Sequence, residues 1–328
     1  MRAVHVKMVV ATILLGSYLV VSKLVLREVS VFSATFVRLV AAAAVLGVYL
    51  RVKGAGPTPR PGRRDGAVIF AQAFIGVFLF SVFAMYGVKY TGAIEAGVIL
   101  GMVPISISLV ALLFLGERLS LRRGSGIVLA VAGVVSINVL SANGSAGGSQ
   151  ANVALGALLL VCSVLCEAVF VTFGKLLSTP MAPARLSLLL SVVGALMFLV
   201  PAGFESHWGA DLLHAPWETW VLMIYTGVAI NGIAVVLMYD SLDHVDTTVV
   251  AAFTALTPVS GAVLSILMLG EELHLYHVIG IALAVIGVFV VAKEKAAPPD
   301  ATESGDDPEK ADETTDGRHP TDFRNAVT

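Results

Sequence analysis

The sequence predicts an all-α integral membrane protein whose ten transmembrane helices form two inverted five-helix repeats. Three observations carry that expectation. Hydrophobic residues make up 57% of the 328 and charged residues 13%, too apolar a balance to cover a soluble surface. The apolar residues gather in runs of about 20, the length that crosses a bilayer. The stretch LFLGERLSLRRGSGIVLAVAGV at residues 113–134 returns at 267–288 as LMLGEELHLYHVIGIALAVIGV.

The runs are 8–26, 31–50, 67–88, 93–115, 122–140, 154–174, 186–203, 219–239, 247–268 and 276–292. The first follows Arg2 and Lys7, but no small-x-small cleavage site precedes Lys23, so it reads as a retained helix and not a signal peptide. KGAGPTPRPGRRDG separates the second and third runs. SANGSAGGSQAN separates the fifth and sixth and marks a hinge between halves. The expected organisation is a first repeat over 1–140, a linker over 141–153, a second repeat over 154–293 and an acidic tail over 294–328. From Ala296 onward the tail holds nine acids and three bases, a net −6 against −2 for the whole chain. With so little apolar surface it is expected to be disordered and cytoplasmic.

Loop charges set the orientation. With a cytoplasmic N-terminus, the inner segments and span ends hold 14 Lys and Arg, and the outer ones hold Arg27, Lys89 and Lys23. An even number of spans returns the C-terminus to the cytoplasm. The expected location is the plasma (inner) membrane of a prokaryote.

The repeat answers to an offset of 154. Between 96–138 and 250–292, fifteen of 43 columns are identical, among them Pro104/Pro258, Gly116/Gly270, Glu117/Glu271 and Gly133/Gly287. Met85-Tyr86 also matches Met238-Tyr239. Five spans is an odd number, so a second copy must point the opposite way across the bilayer. Inverted repeats of this kind belong to secondary transporters, whose substrate sites lie near the midplane between them.

These residues resemble the EamA-type transporters of the drug/metabolite transporter superfamily. The likeness rests on the paired Leu115-Gly116-Glu117 and Leu269-Gly270-Glu271 signatures, the Gly-punctuated helix after each, the upstream prolines, GSYLVVSKLVL at 16–26 and Arg38. It implies efflux of an amino acid, another metabolite or a drug-like compound by alternating access, often driven by a proton gradient. Where many members carry Trp in the first span, this chain has Tyr18.

Glu117 and Glu271 read as turn residues that bond exposed backbone where a helix stops. Gly126-xxx-Ala130 and Gly280-xxx-Ala284 are small-xxx-small pairs that let helices approach closely. Helices five and ten therefore pack on each other or join two copies in a homodimer. Arg38 lies about 10 Å along span two, where a charge must face protein or water. With Glu95 and Lys23 it forms either an ion-paired cluster at the outer mouth or, alone, a clamp for a substrate carboxylate. Tyr18, Phe170 and Asn231 lie deeper, and with Arg38, Glu95 and Glu167 make up the expected substrate-binding set. Glu167, about 20 Å along span six, is the expected proton-coupling group, because an acid at that depth can alternate between proton and substrate. Pro104 and Pro258, mid-span, are the expected gating elements.

The expected partners are a small-molecule substrate, protons and lipid, without nucleic acid. Cys162 and Cys166 share one helix face as small packing residues, and the seven histidines fall in tails, loops or helix ends. No cofactor or metal is expected, and no nucleophile–base pair points to an enzyme. The alternatives on the same scaffold are a non-transporting membrane subunit and a nucleotide- or sugar-type metabolite exchanger.

Overall fold

A computed structural model describes residues 2–54, 61–103, 105–107, 109–110, 121–144, 150–174, 176–178, 181–205, 208–237 and 256–292. These residues belong to one compact unit, Met1–Glu294. They form helices α1 (Arg2–Val25), α2 (Val31–Val52), α3 (Arg63–Tyr90), α4 (Ala93–Leu100), α5 (Leu121–Gly144), α6 (Gln150–Gly174), α7 (Pro183–Phe204), α8 (Trp217–Leu237), α9 (Leu256–Leu269) and α10 (Leu275–Ala292). A short surface helix, Trp208–His214, precedes α8. There is no strand among the described residues.

Six stretches are long and apolar enough to cross a membrane: His5–Val25, Val31–Val52, Arg63–Tyr90, Asn152–Gly174, Pro183–Phe204 and Trp217–Leu237. Gly124–Ile137, Leu256–Leu269 and Leu275–Val290 are shorter apolar helices. The expected fourth, eighth and ninth spans run partly through 104, 108, 111–120 and 238–255, outside the described residues. Pro104, Glu117, Lys175, Tyr239 and the acidic tail also lie outside them. Helix α5 continues through Gly144 and α6 begins at Gln150, both within the expected linker.

Local chemistry sets several boundaries. Ser30 caps α2 by accepting from the Ser33 N–H, 3.4 Å away. The Ser30 and Ser33 hydroxyls also donate to Glu205 Oε2, the residue that follows α7. Pro183 opens α7, where its missing N–H costs nothing. Gly270 closes α9 at φ 67°, a left-handed turn for which glycine is suited, and so redirects the chain at Glu271.

Helices α3 and α8 each contain a π-helical stretch, Ala73–Leu79 and Thr226–Ala234. The two stretches begin 153 residues apart (226 minus 73), the same offset that relates Met85-Tyr86 to Met238-Tyr239. Wide turns of this kind often mark functional positions.

The halves interleave. Helix α1 packs on α9 and α8, α6 on α4 and α3, α2 on α7 and α8, and α7 on α2 and α3. Helix α5 pairs with α10, and α4 with α9. Exchanging the first five helices for the last five maps this set of pairings onto itself. In the α5–α10 pair, a Cβ at Gly287 would meet Gly126 O at 2.6 Å, and one at Gly133 would meet Gly280 O at 2.7 Å. The glycine faces therefore fill each other within the chain.

Candidate functional site

Two polar groupings lie among the helices. The first sits where α1, α4, α9 and α10 meet. Lys23, in the last turn of α1, places Nζ 2.8 Å from Glu271 Oε1 and 3.0 Å from the Thr91 carbonyl. Glu271 also accepts from the N–H groups of Ala93 (2.8 Å) and Ile94 (3.1 Å), and from the Ser265 hydroxyl (2.5 Å). Ala93 and Ile94 open α4, whose cap residue Gly92 has no side chain. The open N–H groups of one half are thus satisfied by a carboxylate from the other. Burial alone would raise the Glu271 carboxyl, but the Ala93 N–H, Lys23 and Ser265 outweigh it and hold its pKa below the usual value.

Glu95, in the first turn of α4, folds back so that a Cβ at Gly92 would overlap its Oε2. Its Oε1 lies 3.2 Å from His277 Nε2, with both side chains buried. His277 Nδ1 accepts from the His274 N–H at 3.1 Å. That leaves Nε2 as the protonated nitrogen, donating to Glu95.

The second grouping centres on Arg38, which is 5% exposed. One amino group donates to Ser81 Oγ on α3 at 2.9 Å. The guanidinium carbon lies 5.1 Å from the centre of the Tyr18 ring. Among the described residues, Arg38 has no carboxylate within 4.0 Å. Its Nε, the Ser22 Oγ and the Tyr18 hydroxyl are buried without hydrogen-bond partners among the described residues. Arg38 and Ser22 line a cavity of about 10 Å³ with Thr226, Met85, Met223 and Val25. That is room for one water. Helix α8 approaches closely because a Cβ at Gly227 would overlap the Arg38 carbonyl oxygen. The π-helical stretch therefore starts at the cavity wall. A wider recess of about 320 Å³ between Glu28, Asp211 and His214 lies elsewhere, and Glu28 and His214 are exposed there.

The expected ion-paired cluster of Arg38, Glu95 and Lys23 does not form. Lys23 turns to Glu271, Glu95 to His277 and Arg38 to Ser81 and Tyr18. The three face different neighbours. Glu271 does bond helix-end backbone, as expected of a turn residue, but at the start of a helix in the opposite half.

Glu167 is half-buried on α6, with no hydrogen bond or ion pair to another described residue. Phe170 packs where a Cβ at Gly76 would overlap its ring, in a cluster with Ile69 and Leu190. Its carbonyl accepts from Gln72 at 3.1 Å. Asn231 is half-buried within the π-helical stretch of α8. Pro258 is buried on α9, its Cγ 3.2 Å from a Cβ built on Gly101. Gly101 lies just past the end of α4, so the wall of α9 at Pro258 touches the break in α4.

Ser81, Ser22 and His277 are the residues that sequence reading missed. The serines look like small packing residues in a spanning helix, and His277 reads as a helix-end residue. Only the fold shows that Arg38 reaches Ser81, that Ser22 shares its cavity, and that Glu95 meets His277. Among the described residues, no group of three His, Cys, Asp or Glu side chains is placed to hold a metal ion.

Comparison with known proteins adds the family. The model of the EamA-like transporter family matches residues 3–139 and again residues 154–293. The Bacillus subtilis (strain 168) protein named "Uncharacterized transporter YetK" is 33% identical over 294 residues, covering 90% of this chain and 88% of its own. "Uncharacterized transporter YxxF" from the same organism is 25% identical, over 93% of this chain and 94% of its own. A solved crystal structure superposes with a TM-score of 0.60 at 18% identity, covering 89% of this chain and 97% of its own, a likeness of fold. With its membrane-length helices and bacterial transporter relatives, this multi-pass membrane protein belongs to the EamA-like transporter family.

Proposed function

We propose that the protein is a secondary transporter that exports a small amphipathic metabolite by alternating access, driven by protons. The observation that carries this reading is the cavity at Arg38, held between helices of both halves in a bundle whose principal pairings between the halves map onto one another when the halves are exchanged. A site at such a seam changes exposure when the halves rock against each other. The two halves take opposite orientations, with both termini in the cytoplasm of a prokaryotic cell. Arg38 and Tyr18 hold the substrate, and Asn231 and Glu167 complete the set. Glu95 and Phe170 support it through His277 and Gly76. Pro258 and Pro104 act as the gating positions, Pro258 through its contact at Gly101.

Glu167 is the coupling group. A half-buried carboxyl with no partner among the described residues exchanges a proton for substrate at little structural cost. The test is Glu167→Gln in proteoliposomes. Proton-driven accumulation is expected to be lost while substrate exchange at equilibrium persists. Normal accumulation with unchanged pH dependence would remove Glu167 from the coupling role.

A further inference from the structure

We infer that the Arg38 cavity receives the carboxylate of the transported solute, which makes the substrate class a small organic acid, zwitterionic or anionic. This rests on the reading of the chain as a transporter, and it deepens that reading.

A guanidinium keeps its charge at any pH the protein meets. Arg38 therefore presents a permanent cation inside the bundle, 5% exposed. Other ionic groups near helix ends have close polar partners: Lys23 pairs with the Glu271 carboxylate, and Glu95 accepts from His277. Arg38 has one serine and one aromatic face. A cation over a ring is stabilised when desolvated, but neither contact supplies a counter-charge. A buried charge without one is costly, so the missing anion is expected to be a ligand.

The unmet groups define that ligand. The Arg38 Nε–H has no acceptor, and the Ser22 and Tyr18 hydroxyls have no partner. Two of these three residues, Arg38 and Ser22, line the same cavity. The cavity has room for one water, and a carboxylate oxygen is about that size. The Arg38 Nε–H, which has no acceptor among the described residues, suits one such oxygen through a charge-assisted bond. Val25, Met85 and Met223 on the walls suit hydrocarbon beside that carboxylate. A cationic solute would meet like charge there. A phosphate monoester, with a charge of about −1.5 to −2, would want more cations than one guanidinium.

The full chain in proteoliposomes tests this. The vesicles are loaded with an equimolar mixture of three classes: amino, hydroxy and keto acids; the amines that remain when their carboxylates are removed; and sugar phosphates. Efflux under a proton gradient is followed by mass spectrometry. Efflux that depends on the protein is expected for acids and not for their matched amines. Arg38→Lys is expected to slow it about tenfold or more, chiefly through KM, because a point charge does not replace the fork. Ser22→Ala and Tyr18→Phe remove hydroxyls that no protein group holds, so both are expected to fold and to raise KM by a smaller factor. Preferential efflux of amines or phosphates, or an unchanged acid-to-amine preference in Arg38→Lys, would overturn the carboxylate assignment and leave the transporter reading standing. If Arg38→Lys fails to fold, unchanged KM in both other variants overturns it. Absence of any protein-dependent efflux would overturn the transporter reading, and this assignment with it.

Discussion

Lys23 and Glu271 lie 248 residues apart in sequence and 2.8 Å apart in space. One ends the first helix and the other follows the turn after α9. Their contact ties the two halves together at the mouth of α4, because the same carboxylate caps that helix.

Glu271→Gln is expected to destabilise the protein by about 1–3 kcal/mol, the cost of unpairing a charge-assisted network. The effect should depend on pH. The folded-state pKa of Glu271 is depressed, so its contribution is present above the unfolded-state value and is lost as pH falls through the folded one. Thermal unfolding of purified protein between neutral and acidic pH checks this. The wild type should lose stability on acidification by more than the variant does.

The α5–α10 crossing should tolerate no added carbon. Gly287→Ala places a methyl against Gly126 O and Ala130, and overpacking of this kind costs about 1–3 kcal/mol. Gly47→Ala, where a Cβ meets nothing within 4 Å, should leave the melting temperature unchanged. Equal losses in the two variants would contradict the close crossing.

Orientation can be read by labelling. A membrane-impermeant thiol reagent added outside intact cells should reach a cysteine placed at Ser145 and miss one placed at Gly62, in a background lacking Cys162 and Cys166. The reverse pattern would invert the topology.

Pro258→Ala, with Pro104→Ala beside it, tests movement. If the contact between Pro258 and Gly101 belongs to a gating region, the pair of substitutions should change transport rate while leaving equilibrium substrate binding intact. Unchanged transport in the double variant would make the prolines packing residues.

Helix positions were largely legible, because hydrocarbon thickness imposes runs that composition reveals directly. Lys23 and Glu95 were expected at helix ends and Arg38 about 10 Å along its span, and those positions along their helices hold. Which way each side chain turns was not legible. Rotation about a helix axis depends on neighbours that come from the other half, so Lys23 finds Glu271 and Glu95 finds His277. Helical periodicity offers little guidance in a bundle that is apolar on every face. The repeat of Leu-Gly-Glu flagged Glu271, yet its service to α4 needed the fold. The π-helical stretches had no residue signature, although the 153-residue register already aligned the segments that contain them.

The interleaving of the halves has a consequence for manufacture. A ribosome releases the first five helices before their principal neighbours exist. Gly133 then has no Gly280 to cross, Gly76 no Phe170 to receive, and the start of α4 no carboxylate to close it. The early half must wait in the bilayer as an unfinished assembly until the later half threads between its members. Co-expression of two fragments divided within 145–149 should therefore restore a protein that neither fragment forms alone, and quality-control proteases should clear each fragment made singly.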